Sequence, residues 1–128
     1  LSGNVRRTVA HFIVEYSNNL PEADLAIGEL LRSLTEKAVE TGLFPVSGIR
    51  SRAHQATHHL VMNSTDAGFV HVNMNVGQGR SHEDRHRAGE ALFEVVKDHL
   101  AGLMEREVLL LSFEMREIDD VKFNYRSQ

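Results

Sequence analysis

The residues best suited to chemistry in this chain are arginines set beside glycines, and the arrangement occurs twice. "GIRSRA" places Arg50 just after Gly48, with Arg52 close behind, and "GQGRS" places Arg80 just after Gly77 and Gly79. A guanidinium presents a planar fork that binds a carboxylate bidentately. A nearby glycine lets the backbone approach a ligand closely. Both arginines fall where an extended segment meets a loop, in matching parts of two similar halves of the chain. Arg80 also stands just ahead of an expected helix N-terminus, a favourable place for an anion. Together these features point to a site for a small carboxylate. The plainer alternative is two surface arginines. "GQGRS" is not a dinucleotide fingerprint, because the third glycine is missing.

The histidines are numerous and less informative. "HEDRH" at His82–His86 reproduces the H-E-x-x-H pattern, in which two histidines four apart on a helix hold zinc and the glutamate acts as base. Here it falls in the first turn of a helix, where the dipole disfavours a cation. Arg80, Arg85 and Arg87 add positive charge, and no third ligand stands nearby. The expectation is a solvated polar helix face and no metal. His11, His54, His58, His59, His71 and His99 are scattered. Adjacent side chains such as His58 and His59 point to opposite sides of an extended segment and chelate poorly. His71 sits on the polar face of a strand, where it can border a pocket.

Composition narrows the class. With 128 residues, 41% hydrophobic and 25% charged, the chain fits one domain with a real core. A net charge of −4 argues against nucleic acid as a partner. The absence of cysteine excludes disulfides and thiol catalysis. No apolar run approaches the ~20 residues that span a bilayer. The expectation is a cytoplasmic protein that does not engage a membrane. Residues 1–9, "LSGNVRRTV", carry two arginines but no apolar segment of a secretory signal. They are expected to be a leader or a tag remnant, with a domain over 10–118 and a polar tail over 119–128.

The elements that must position these residues follow from periodicity. "HFIVEY" at 11–16 reads as a buried strand. Asn19 is a candidate N-cap with Pro21 in the first turn, and Ile27, Leu30, Leu31, Leu34 and Ala38 recur at helical spacing up to a cap at Thr41-Gly42. A second extended stretch is expected through "GIRSRA" to near "HHLVMN". "GFVHVNMNVG" alternates strictly, with Val70, Val72, Met74 and Val76 on one face. Ser81 and Asp84 fit a helix start, and Ala88, Ala91, Leu92, Val95, Val96, His99 and Leu103 share a face of the helix that follows. "VLLLSFEMREI" is the last strand. The expected architecture is α+β: two consecutive β-α-β units giving a four-stranded, mainly parallel sheet with two helices on one face. Nothing in the chain remains to cover the other face, so self-association is expected, with "VHVNMNV" and "LLLSFEM" as edge-capable strands.

The blocks "AHFIVEYSNN", "ETGLFPVSGIRSRAH", "FVHVNMNVGQGRS", "AGEALFEVVKDHLAGLMERE" and "LLSFEMREI" resemble the 5-carboxymethyl-2-hydroxymuconate isomerases. These belong to the tautomerase superfamily, with 4-oxalocrotonate tautomerase and macrophage migration inhibitory factor. The likeness covers about residues 10–118. It implies a tautomerase-like homotrimer whose sheets line an inner barrel. It also implies an enol to oxo-ene 1,3-proton transfer on an unsaturated hydroxy-diacid in bacterial homoprotocatechuate breakdown. No metal or organic cofactor takes part. The substrate is a small dicarboxylate or tricarboxylate, held by Arg50 and Arg80, with Arg52 as a further contributor. The family's base is an N-terminal proline, and its place here is taken by Ala10. Inside a chain Ala10 has an amide nitrogen with no basicity; freed, it would have a primary amine of pKa ~8. The alternatives are a non-catalytic trimer that binds a small anion, or a divergent tautomerase using another base, such as His11 or His71.

Overall fold

A computed structural model describes residues 9–128; the expected leader lies, except for Val9, outside the described residues. Strands β1 (Ala10–Ser17), β2 (Ile49–Ala56), β3 (Gly68–Val76) and β4 (Leu109–Glu117) form one sheet in the order β2-β1-β3-β4. β1 runs parallel to β2 and β3 parallel to β4, as two β-α-β units require, and the units join through the antiparallel β1–β3 pair. This corrects one expectation. "VHVNMNV" is β3, with a partner on each side, so its backbone groups are consumed internally. The free edges belong to β2 and β4.

The alternation in β1 and β3 builds the core. Phe12, Val14, Val70, Val72, Met74 and Val76 are fully buried on one face. Helices α2 (Ile27–Glu40) and α3 (His82–His99) supply Leu30, Leu34, Ala38, Ala88, Leu92 and Val96 to the same cluster, so both lie on that face. The expected first helix is interrupted. A short α1 (Glu22–Leu25) begins after Pro21, and Ala26 adopts a left-handed conformation (φ 41°, ψ 56°) that separates it from α2. Asn19 is not the cap; its Nδ2 donates to the Asp66 carbonyl at 2.9 Å, tying the β1–α1 loop to the segment before β3. Ser81 does cap α3, accepting from the Asp84 amide at 3.0 Å. The second helix also breaks, at Leu100, so that Leu103 is carried by a separate α4 (Ala101–Arg106).

β2 is shorter than expected, ending at Ala56, and the "HHLVMN" stretch is a loop with a single bridge between Val61 and Ser64. Where β3 starts, a side chain has no room: a Cβ on Gly68 would stand 2.7 Å from Leu20 Cδ2 and 2.8 Å from Ser17 Oγ. The buried Ser17 hydroxyl uses that close approach to accept from the Phe69 amide at 3.0 Å.

Candidate active site

The strand directions bring four strand ends together. β1 and β2 start where β3 and β4 finish, so Ile49, Ala10, Val76 and Glu117 form one row across the sheet. Ala10 is fully buried. Its nitrogen belongs to the peptide bond from Val9, whose carbonyl accepts from the Gly77 amide at 3.2 Å. The next row projects from the face without helices and contains Arg50, His11, Asn75 and Arg116. Two rows further on, on the same face, stand Arg52, Ile13, Asn73 and Glu114. Period-two alternation thus sets Arg50 and Arg52 side by side on the open face, both exposed, next to His11.

The electrostatics of His11 follow from these neighbours. Partial burial lowers its pKa from 6.5, and the positive charges of Arg50, Lys122 and Arg52 lower it further. Its imidazole is therefore neutral near pH 7, a state able to accept a proton. Three cations beside a neutral histidine make this end of a chain of net charge −4 locally attractive to anions.

Arg80 stands differently. It is half-buried on the helix side of the sheet end, with its guanidinium 4.4 Å from the Phe44 ring centroid. Its Nε and Nη2 donate to the Leu43 carbonyl at 3.2 and 3.1 Å, and Nη1 donates to the Gly77 carbonyl at 3.0 Å. These bonds hold the loop after α2 against the end of β3. The matching sequence positions of Arg50 and Arg80 thus do not become matching environments. Both sit at the end of the sheet where Ala10 lies, but on opposite sides of it.

Sequence reasoning missed a polar chain on the open face. His71 Nδ1 lies 2.6 Å from Ser112 Oγ, and its Nε2 lies 3.1 Å from Glu114 Oε1. Arg116 Nε donates to Glu114 Oε2 at 3.0 Å, and this bond is the main reason the Glu114 carboxyl titrates below its ordinary range. The signal was the β3–β4 register, which sets His71 opposite Ser112 and cannot be read from either strand alone. The "HEDRH" histidines lie on the exposed side of α3, with ring centroids 6.1 Å apart and His86 Nδ1 2.7 Å from Glu90 Oε1. Among the described residues no three side chains are grouped to hold a metal.

Comparison with known proteins gives a consistent picture. Residues 10–127 match the family model for 5-carboxymethyl-2-hydroxymuconate isomerase. A 5-carboxymethyl-2-hydroxymuconate Delta-isomerase from Escherichia coli is 46% identical over 110 residues, covering 84% of this chain and 86% of its own. The crystal structure of a 5-carboxymethyl-2-hydroxymuconate isomerase from Deinococcus radiodurans R1 superposes with a TM-score of 0.85 at 34% identity, over 95% of this chain and 92% of that one. A fused 4-OT symmetric trimer shares the fold, with a TM-score of 0.63 at 21% identity, over 84% of this chain and 85% of its own.

Proposed function

The chain belongs to the 5-carboxymethyl-2-hydroxymuconate isomerase family, and we propose that it moves a proton within an unsaturated hydroxy-diacid at the Ala10 end of the sheet. The observation that carries this reading is the placement of Arg50 and Arg52 beside the strand that begins at Ala10. Enol to oxo-ene conversion relocates one proton and one double bond and is redox-neutral. It needs a base that gives and takes that proton, and cations that stabilise charge developing on the oxygen. Arg50 and Arg52 are assigned to substrate carboxylates. Arg80, whose guanidinium binds the Leu43 and Gly77 carbonyls, shapes the loop at the same end of the sheet. No cofactor is assigned. The protein acts as a trimer: a solved relative of this fold is a symmetric trimer, and among the described residues no helix packs against the sheet face bearing Arg50.

The base is the point that divides two readings. A free Ala10 amine serves in the first. The second is favoured by the peptide bond between Val9 and Ala10, which leaves no basic nitrogen at Ala10. His11, one residue on, lowered in pKa and flanked by Arg50 and Arg52, then takes the proton; without turnover by His11 the same site is an anion-binding one. Steady-state kinetics on 5-carboxymethyl-2-hydroxymuconate test the assignment. Arg50→Ala is expected to raise KM at least ~10-fold, the equivalent of about 1.4 kcal/mol of carboxylate binding. An unchanged KM removes Arg50 from the site.

A further inference from the structure

The open face of β3 carries Asn73 and Asn75 where a central strand favours β-branched or aromatic residues. Asparagine is depleted in strands because its short amide competes for backbone hydrogen bonds. Such a position costs stability locally, and costs of this kind collect at functional sites. His71, further along the same face, is fully engaged, with Ser112 Oγ at 2.6 Å and Glu114 Oε1 at 3.1 Å. Asn75 is not. It is half-buried, and among the described residues its carboxamide makes no hydrogen bond.

The register places Asn75 in one row with Arg50 and His11, on neighbouring strands in the order β2, β1, β3. Arg116, the fourth member of the row, is engaged by Glu114 through Nε at 3.0 Å and Nη2 at 3.4 Å. The row therefore offers a guanidinium, an imidazole and a carboxamide, each one strand spacing, ~4.8 Å, from the next. The reaction needs groups in the same order. In 5-carboxymethyl-2-hydroxymuconate the hydroxyl is on C2, the proton arrives at C5, and a carboxylate lies beyond C5. The O–H bond breaks and a C5–H bond forms, while the C2=C3 and C4=C5 double bonds become C2=O and C3=C4. Between the two proton movements the negative charge rests largely on the C2 oxygen. A donor aimed at that oxygen lowers the barrier. A carboxamide supplies one without competing for the proton in transit.

We propose that Asn75 is a catalytic residue of this site, its Nδ2–H donating to the C2 oxygen while Arg50 holds the carboxylate beyond C5. The inference rests on the reading of the Ala10 end of the sheet as the site, and it adds which end of the diacid lies where. It is the same whether Ala10 or His11 supplies the base, because both belong to β1, between the strands of Arg50 and Asn75.

The test needs no turnover. The full-length chain is titrated calorimetrically with 2-oxoadipate and with adipate, six-carbon diacids that differ only in the oxygen on C2. The unmodified chain is expected to bind 2-oxoadipate at least ~5-fold more tightly, the scale of one hydrogen bond. Asn75→Leu is expected to abolish that preference and to leave adipate within ~2-fold of its original affinity. Asn75→Ala, which removes the amide with less added bulk, is expected to do the same. An unmodified chain with no preference overturns the assignment, as does a preference that survives both substitutions. An equal loss for both acids also overturns it, because it marks a merely structural role. Arg50→Ala separates this result from the reading beneath it, and is expected to weaken both acids alike. Affinities that ignore Arg50→Ala displace the site itself, and the role of Asn75 falls with it.

Discussion

His11 and Phe12 are neighbours in sequence and stand on opposite faces of one sheet. Phe12 is fully buried under α2 and α3, among side chains that offer only volume and shape. His11 faces outward, with two arginines on the adjoining strand and, among the described residues, no helix above it. The contrast is sharpest along the two central strands, β1 and β3. There one face carries Phe12, Val14, Val70, Val72, Met74 and Val76, all fully buried, and defines the fold. The sheet's other face carries Arg50, Arg52, His71, Glu114 and Arg116. In this molecule stability and chemistry are separated by the pleat, one residue apart.

The comparison is broken most forcefully from the buried side. Phe12→Ala leaves a large cavity between the sheet and both helices and is expected to cost about 3–5 kcal/mol in chemical denaturation. A cost below about 1 kcal/mol would mean the two faces are less distinct than described. The pair of arginines, one on each side of the sheet, gives an intermediate effect. Arg80→Ala removes donors to the Leu43 and Gly77 carbonyls and the contact over Phe44. It is expected to cost about 1–3 kcal/mol. Arg50→Ala, on the exposed face, is expected to change stability by no more than about 0.5 kcal/mol while weakening substrate binding. Equal stability losses for the two would erase the distinction.

The smallest effect concerns pH. Folding lowers the pKa of His11 below 6.5, through burial first and then Arg50, Lys122 and Arg52. Above that value the histidine is neutral in both folded and unfolded chains, and its contribution to stability is fully present. As the pH falls below 6.5 the unfolded chain takes up the proton before the folded one does, so stability declines until the folded pKa is passed. His11→Asn is expected to flatten this part of the stability profile. An identical slope in the variant would place its origin in another group.

Much of the buried face was legible in the sequence. The alternation of "FVHVNMNV" fixed which residues of β3 point inward, because period two admits only one pleat. The Ser81 cap was legible for a similarly local reason. What could not be read was anything set by long-range pairing. The sequence of β3 looks suited to an edge, and only its pairing with β1 makes it central. The interruption at Ala26 needs a left-handed residue that alanine does not advertise. At the site, the gap is the same. Arg50 and Arg80 have similar local contexts, yet strand parity sends Arg50 to the open face, and a loop carbonyl at Leu43 draws Arg80 to the helix side. The Ser112–His71–Glu114 chain exists only through the β3–β4 register.

The central claim is that proton transfer occurs where β1 begins, and the most direct measurement changes the nitrogen at that point. Turnover of 5-carboxymethyl-2-hydroxymuconate is to be compared among the full chain, a protein beginning at Ala10, and the same protein with Ala10→Pro. The account predicts that the free primary amine supports turnover and that the free proline increases it by at least ~100-fold, the scale of a well-tuned general base. No turnover by either protein with a free terminus, both folded, would contradict it.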